Sequence, residues 1–267
     1  MNEFSLINTG LDGYTSNSQK ARLMTEPWVA NHVLCPACGN SLNSFPNNKK
    51  VADFYCSNCQ EEFELKSGKN LPTTRIVDGA YSAMMERLNA SNNPSLMFLH
   101  YHPTQLVVRS LLLIPRFFFI PDCIEPRKPL SINAKRAGWQ GCNIRLDQIP
   151  VSGRIWLLQE QKPEPQNTIQ YQWKVGAQQF DGIALSKRAW RLALQQVLEQ
   201  LPTHFTLAHV YAFEAELSQR FPDNRHIHAK IRQQLQYLRD CGEITFLGKG
   251  HYRKNEPCYP SRHINVP

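Results

Sequence analysis

Four cysteines in the first quarter of the chain have the spacing of a metal site. Cys35 and Cys38 form one C-x2-C pair, Cys56 and Cys59 form a second, and seventeen residues separate the pairs. Each pair can present two thiolates to one tetrahedral ion, and Zn²⁺ suits sulfur ligands. Four protein ligands leave no open coordination position, so the spacing predicts a structural zinc site. The alternative is two disulfides or four chance thiols, and disulfides are rare in a chain without an export signal.

Three charged residues lie around the second cysteine pair. Asp53 precedes Cys56, and Glu64 and Lys66 follow Cys59, in a D-x10-E-x-K order. Side chains alternate along a strand, so Glu64 and Lys66 share one face, and Asp53 joins them if the cysteines occupy a hairpin turn. Two carboxylates can hold Mg²⁺, and a lysine can orient an attacking water. These residue types fit phosphodiester hydrolysis, although charged residues on a hairpin can also form a solvated face.

The net charge favours an anionic partner. Thirty Lys and Arg stand against 22 Asp and Glu, which leaves +8 at pH 7. A surplus of this size suits a polyanion, most commonly nucleic acid, although some enzymes are simply basic. No apolar run approaches the ~20 residues that span a bilayer, and no signal-peptide pattern is present. We therefore expect neither a secreted nor a membrane protein.

The elements before residue 182 predict a mixed α/β domain. Helical spacing covers residues 18–30 and 76–89. Apolar runs of strand length cover residues 95–101, 105–113, 116–120 and 154–159. Residues 161–167 contain two prolines and fit either a linker or a surface loop.

The remaining elements predict a winged helix-turn-helix. Apolar positions at helical spacing cover residues 185–201, 206–221 and 227–241, and two short strands follow around Gly248 and Gly250. The third helix of such a domain enters the major groove, and the wing lies near phosphates. The candidate DNA contacts are Arg225, His228, Arg232 and Gln233 at the third helix and Lys249, Arg253 and Lys254 in the wing. The alternative for each is a solvated surface side chain.

Five stretches carry a family resemblance. Residues 16–22, 51–56 (VADFYC), 61–67 (EEFELKS), 136–144 (RAGWQGCNI) and 230–236 occur in the same order in DpnI-like methyl-directed (type IIM) restriction endonucleases, which the chain resembles from about 16 to 254. The resemblance implies an α/β PD-(D/E)XK nuclease core with a four-cysteine zinc site over residues 1–182, a winged helix over 183–254 and a tail over 255–267. By matching position, Asp53 and Glu64 would bind metal and Lys66 would be catalytic. Ala52 stands where the motif has proline, which does no chemistry.

The same resemblance implies an activity. The implied activity is Mg²⁺-dependent cleavage of double-stranded DNA at GATC sites that carry N6-methyladenine. We expect a bacterial cytoplasmic enzyme with structural Zn²⁺, and we expect neither a membrane partner nor an obligate protein partner. Trp139 is flanked by Gly138 and Gly141 and preceded by Lys135 and Arg136, in a basic loop. We expect this loop to contact DNA or the methyl group, with a buried tryptophan as the alternative.

Three other functions compete. A zinc-containing winged-helix regulator without catalysis explains the charge, the cysteines and the helices. An HNH nuclease needs a histidine base near the zinc hairpin, where His32 stands before the first cysteine pair without a partner motif. The same nuclease with a different modified target is the reading that sequence least excludes. The sequence also leaves open whether Glu26 adds a metal ligand.

Overall fold

The computed structural model describes residues 3–7, 13–46, 52–88 and 93–256. The chain divides into two units, of which the first comprises Met1–Asp147 and Val151–Asp181 and the second comprises Gln148–Pro150 and Gly182–Pro267. Within the described ranges, no helix is both long enough and apolar enough to cross a bilayer. Of the predicted tail over 255–267, residues 257–267 lie outside the described residues.

The first unit is mixed α/β, as the sequence predicts. Its elements are α1 (Asn17–His32), β1 (Asn43–Ser44), β2 (Phe54–Tyr55), β3 (Glu62–Gly68), β4 (Arg75–Ala80), α2 (Tyr81–Leu88), β5 (Ser95–His102), β6 (Val107–Ile114), β7 (Ile124–Pro126), β8 (Gly141–Arg145), β9 (Ile155–Gln159), β10 (Lys162–Pro163) and α3 (Gln166–Phe180). The strands predicted over 95–101, 105–113 and 154–159 are confirmed within a few residues as β5, β6 and β9.

The larger sheet has the order β1-β2-β3-β5-β6-β9-β10. Strands β3 and β5 are parallel, with Glu64 opposite Leu96 and Lys66 opposite Phe98, and the other neighbours are antiparallel. Residues 96–99 of β5 are all apolar, and Leu96 and Met97, whose side chains point to opposite faces, are both buried, so both faces of the strand are covered here. The β2–β3 hairpin therefore lies against a rigid central strand.

Two predictions in this unit are wrong in part. Residues 116–120 are apolar enough for a strand, but Arg116–Phe118 form a 3-10 turn whose phenylalanines are buried. Prolines on both sides of this run, Pro115 and Pro121, withhold the backbone N–H groups that a strand needs. Helix α3 was not predicted, and it begins inside the linker-like segment 161–167. Gly176 of α3 packs so closely that a Cβ there would lie 2.7 Å from the Phe117 ring.

The helix predicted over 76–89 begins later than expected. Arg75–Ala80 form strand β4, the helix α2 covers Tyr81–Leu88, and Asn89 lies outside the described residues. Strand β4 belongs to a smaller sheet of order β4-β8-β7. Cross-strand pairing with β8, which lies more than 60 residues later in the sequence, overrides the helical spacing. This error matters because β4 carries a residue of the candidate active site.

The second unit contains the predicted helices and wing. Its elements are α4 (Leu185–Gln200), β11 (His204–Thr206), α5 (Leu207–Tyr211), α6 (Glu214–Arg220), α7 (Ile227–Asp240), β12 (Ile244–Gly248) and β13 (His251–Lys254), with the sheet order β11-β13-β12. Residues 206–221 form two helices rather than the single one predicted, and the Thr206 side chain caps the first by accepting from the His209 amide at 3.3 Å. Leu194, Val210, Ile231 and Leu235 are fully buried in the unit's core.

Candidate active site

The four cysteines of the predicted zinc site converge. Their sulfur atoms all lie within 4.8 Å of one another, with 3.6 Å between Cys35 and Cys59 and 3.4 Å between Cys38 and Cys56. Ligands about 2.3 Å from a tetrahedral zinc ion lie about 3.8 Å apart, whereas a disulfide needs about 2.05 Å. The group can therefore hold Zn²⁺, and all four thiols are free of disulfides.

Backbone hydrogen bonds shape each cysteine pair into a tight knuckle. The Gly39 amide donates to the Cys35 carbonyl at 2.8 Å, and the Gln60 amide donates to the Cys56 carbonyl at 2.9 Å. Gly39 and Gln60 both have positive φ, at 78° and 63°, which closes these turns. Burial raises the pKa of the Cys35 thiol and raises that of Cys59 to about 11. Zinc binding must therefore release protons from these thiols.

Asp53 lies across the hairpin from the strand that carries Glu64 and Lys66. Its amide donates to the Phe63 carbonyl at 2.9 Å, and its Oδ2 accepts from the Leu65 amide at 2.7 Å. The second cysteine pair occupies the turn between β2 and β3, where Phe54 pairs with Phe63. The hairpin forms as the sequence predicts, because the residues that build it lie within a short local segment.

Glu64 and Lys66 share one face of β3. Phe63, whose side chain points to the opposite face, is fully buried. Lys66 Nζ donates to Glu64 Oε1 at 2.6 Å. Burial raises the pKa of Glu64, and the carboxylate of Asp78 adds to the rise. Burial alone would lower the pKa of Lys66, but the carboxylates of Glu64 and Asp78 outweigh it and raise the pKa. Lys66 is therefore a fixed ammonium group.

Asp78 on β4 is the residue of this cluster that the sequence reading missed. Its Oδ1 lies 2.8 Å from Lys66 Nζ, and its side chain is 5% exposed. Glu64 and Asp78 line a cavity of about 110 Å³ that Phe119 and Ile144 also border. The sequence signal that could have found Asp78 is the β-branched pair Ile76 and Val77 followed by Gly79, which favours a strand with a bulge over a helix.

Helix α1 adds a second basic–acidic pair beside Asp53. Arg22 donates to Glu26 one turn later, and its guanidinium lies 3.9 Å from Asp53 Oδ1. Burial raises the pKa of Glu26, Arg22 opposes the rise, and Asp53 adds to it. Glu26 thus lies within electrostatic range of Asp53. The site thus holds Glu64 and Asp78 around the Lys66 ammonium group, with Asp53 and Glu26 beside Arg22.

Family models match both units of the chain. The model of the Dam-replacing family, DpnI, matches residues 4–179, and the model of the Dam-replacing HTH domain matches residues 186–254. The chain belongs to the DpnI, Dam-replacing, family. The resemblance read from the sequence is confirmed, and membership implies a nuclease that acts on DNA in a methyl-directed way. The C-terminal unit of this family member is an HTH domain.

The candidate DNA contacts on α7 of the HTH domain are engaged within the unit. The His228 ring stacks on Tyr211 with centroids 3.8 Å apart and lies 2.8 Å from Glu214 Oε2. Arg232 donates to the Tyr211 hydroxyl at 2.8 Å, and Gln233 accepts from Lys230 at 2.8 Å. Their side chains lie on the outer face of the helix, because Ile231 and Leu235 face the core.

The remaining predicted contacts of this domain differ in their surroundings. Arg225 precedes α7 and is exposed, as are Lys249 and Arg253 in the wing. Lys254, which we expect near phosphates, has backbone partners within its own unit. Its Nζ donates to the carbonyls of Leu198 and Leu201, at the end of α4, at 2.9 and 2.6 Å.

Trp139 of the first unit is half-buried in the loop between β7 and β8. The loop closes on itself, since the Leu130 amide donates to the Trp139 carbonyl at 2.9 Å. The Arg136 guanidinium lies 4.7 Å from the Trp139 ring centroid. A Cβ on Gly141 would lie 2.9 Å from the same ring, so the glycine permits its position. The Arg136 and Trp139 side chains thus lie against each other in this basic loop.

Proposed function

We propose that this member of the DpnI family is a Mg²⁺-dependent type II restriction endonuclease. Its substrate is double-stranded DNA at GATC sites whose adenine carries an N6-methyl group. The observation that carries the proposal is the convergence of Asp53, Glu64 and Lys66 at the β2–β3 hairpin. The proposed fold of this part is the PD-(D/E)XK core, as the sequence order D-x10-E-x-K suggests.

Asp53 and Glu64 are the proposed Mg²⁺ ligands, and their carboxylates suit a hard cation that prefers oxygen. When bound, Mg²⁺ supplies electrostatic stabilisation for charge that builds on the scissile phosphate. Asp53 is held for this role by its hydrogen bond from the Leu65 amide. The Lys66 ammonium group donates a hydrogen bond to the attacking water or to the phosphate. The Zn²⁺ held by the four cysteines stabilises the hairpin and takes no part in the chemistry.

We propose a division of labour between residues 1–182 and residues 183–254, with 255–267 as a tail. The first part cleaves, and the winged helix presents Arg225, His228, Arg232 and Gln233 to the major groove, where the N6 edge of adenine is displayed. Lys249 and Arg253 contact phosphates. One catalytic centre cuts one strand at each approach, so a double-strand break requires successive nicks or two molecules.

The Trp139 loop is the proposed reader of the methyl group. An N6-methyl group replaces a polar hydrogen with a small apolar surface. An aromatic ring that packs against the methyl group favours the methylated base, because it buries this apolar surface. Arg136 lies over the ring and supplies a positive charge toward the DNA backbone. Both features support a DNA contact, and the ring is only partly covered within the first unit.

A plasmid assay tests this function. One plasmid is prepared with and without adenine methylation at GATC and incubated with the full chain and Mg²⁺. We expect fragments at GATC sites from the methylated form alone. Fragments from both forms would retain the nuclease and remove the methyl reader, and fragments at other sites would point to a different modified target. Binding without cleavage would favour the regulator that lacks catalysis.

A further inference from the structure

We propose that Asp78 is a positioning residue that holds the Lys66 ammonium group in place during cleavage. The inference rests on the proposed function, because it assigns Lys66 to the reaction. An ammonium group has three donor hydrogens. In the structure one points to Glu64 Oε1 at 2.6 Å and one to Asp78 Oδ1 at 2.8 Å. The third remains for a water or a phosphate oxygen.

Asp78 differs from Glu64 in what each carboxylate must do. Glu64 is a proposed Mg²⁺ ligand, so its oxygens are shared between the cation and Lys66. Asp78 lies on a different strand, in the smaller sheet, and approaches Lys66 from outside the hairpin. Its contact to Lys66 can therefore persist when Glu64 turns toward the cation. Without this second contact, the long lysine side chain would lose its fixed direction once Glu64 is engaged.

The local backbone aims the Asp78 side chain. Asp78 pairs with Cys142 and Ala80 pairs with Gly141, which leaves Gly79 as the extra residue of a β-bulge. Bulges redirect side chains near active sites. The Gly79 amide donates to Asp78 Oδ1 at 2.6 Å, and the Cys142 thiol donates to the Gly79 carbonyl at 3.5 Å. The Gly79 amide thus orients the Asp78 carboxylate independently of its contact with Lys66.

Burial of the Asp78 carboxylate favours its contact with the Lys66 ammonium group. The Asp78 side chain is 5% exposed, whereas the Lys66 side chain is 27% exposed. A buried carboxylate requires a charged or hydrogen-bonding partner, and Lys66 is the basic side chain within ion-pair distance of it in the part of the chain that the structure describes. The same carboxylate borders the cavity of about 110 Å³ beside Glu64. Asp78 therefore contacts Lys66 and also lines the cavity.

The test uses Asp78→Asn in the full-length chain. Single-turnover cleavage of a methylated GATC duplex should slow by about 10- to 100-fold, the usual cost of losing an orienting partner. DNA affinity measured without Mg²⁺, the Mg²⁺ concentration for half-maximal rate and the melting temperature should stay near their wild-type values. Asp78→Glu, which keeps the charge, should recover part of the lost rate. Glu125→Gln is the matched control, since it removes a half-buried carboxylate with an arginine partner from the same small sheet.

A double-mutant cycle with Lys66→Ala separates positioning from a purely structural role. If Asp78 acts through Lys66, Asp78→Asn should cause no further loss in the Lys66→Ala background. An additive loss, or a raised Mg²⁺ requirement in Asp78→Asn alone, would overturn the inference. Should Asp78→Asn fail to fold, Asp78→Glu carries the same cycle. Full activity of Lys66→Ala would instead refute the assignment of Lys66 to the catalytic centre, and absence of cleavage by the wild-type chain would refute the proposed function itself.

Discussion

The amide of Leu65, the residue between Glu64 and Lys66 on β3, donates a hydrogen bond to the Asp53 carboxylate at 2.7 Å. One oxygen of Asp53 is thereby fixed across the hairpin, and the other lies 3.9 Å from Arg22. The carboxylate is held by the backbone rather than by a side chain that could move away. This bond links the geometry of the zinc-binding turn to that of the proposed metal ligands, since both belong to the same hairpin.

Loss of a zinc ligand should therefore abolish cleavage without touching a catalytic residue. We expect Cys56→Ser to lose bound zinc, to lower the melting temperature and to lose activity, because the turn that sets β2 against β3 opens. Zinc content by atomic absorption, the melting curve and cleavage of methylated DNA are the measurements. Cys241→Ser, at an exposed cysteine of the second unit, is the control and should change none of the three.

Divalent-ion binding should depend on pH with a definite sign. The pKa of Glu64 and that of Glu26 lie above the ordinary value of 4.5, mainly because of burial. Their contribution to folding is present below that value and is lost as pH rises through the raised pKa, since ionisation then costs more in the folded state. A cation that binds the ionised form offsets this cost. Mg²⁺ should therefore raise the melting temperature more at pH 8 than at pH 5.5.

Thermal melts of the zinc-loaded protein, with and without Mg²⁺, measure this difference. Glu64→Gln should show little Mg²⁺ stabilisation at either pH, because a neutral amide is a poor Mg²⁺ ligand. A Mg²⁺ effect that stayed equal at both pH values and survived in Glu64→Gln would place the cation elsewhere.

Methyl discrimination should respond to a substitution that leaves the Trp139 ring intact. The Cβ of Gly141→Ala would lie 2.9 Å from the ring, so the ring must shift. We expect Gly141→Ala and Trp139→Ala both to reduce the ratio of cleavage rates on methylated and unmethylated DNA, with a smaller loss of melting temperature. Trp139→Phe should keep part of the preference. Unchanged ratios in stable variants would remove the loop from methyl recognition.

The wing should contribute affinity rather than sequence discrimination. Arg253 is exposed on β13, and its removal should weaken binding to methylated and unmethylated duplexes alike. The slope of log affinity against log salt should fall in magnitude by about 1 for one lost phosphate contact. Fluorescence anisotropy over a salt series measures both quantities. A loss confined to the methylated duplex would instead assign Arg253 to base or methyl readout.

The parts of the site that lie close in sequence could be predicted, and the parts brought by distant elements could not. The cysteine spacing and the alternation of Glu64 and Lys66 suffice for the zinc group and the hairpin, because both depend on local geometry. Asp78 could not be predicted as part of the site because its segment has helical spacing. The conformation of that segment is decided by pairing with β8 across more than 60 residues. The buried turn at Arg116–Phe118 has no periodicity from which its shape could be read.

The most direct test of the account is single-turnover cleavage of a methylated GATC duplex by Lys66→Ala, with Lys69→Ala as the matched control. Lys69 lies three residues away on the exposed surface and has no part in the proposed site. We predict that Lys66→Ala binds the duplex as tightly as the wild type and cleaves it about 10²- to 10⁴-fold more slowly, while Lys69→Ala cleaves normally. Wild-type cleavage by Lys66→Ala would contradict the assignment of the catalytic centre.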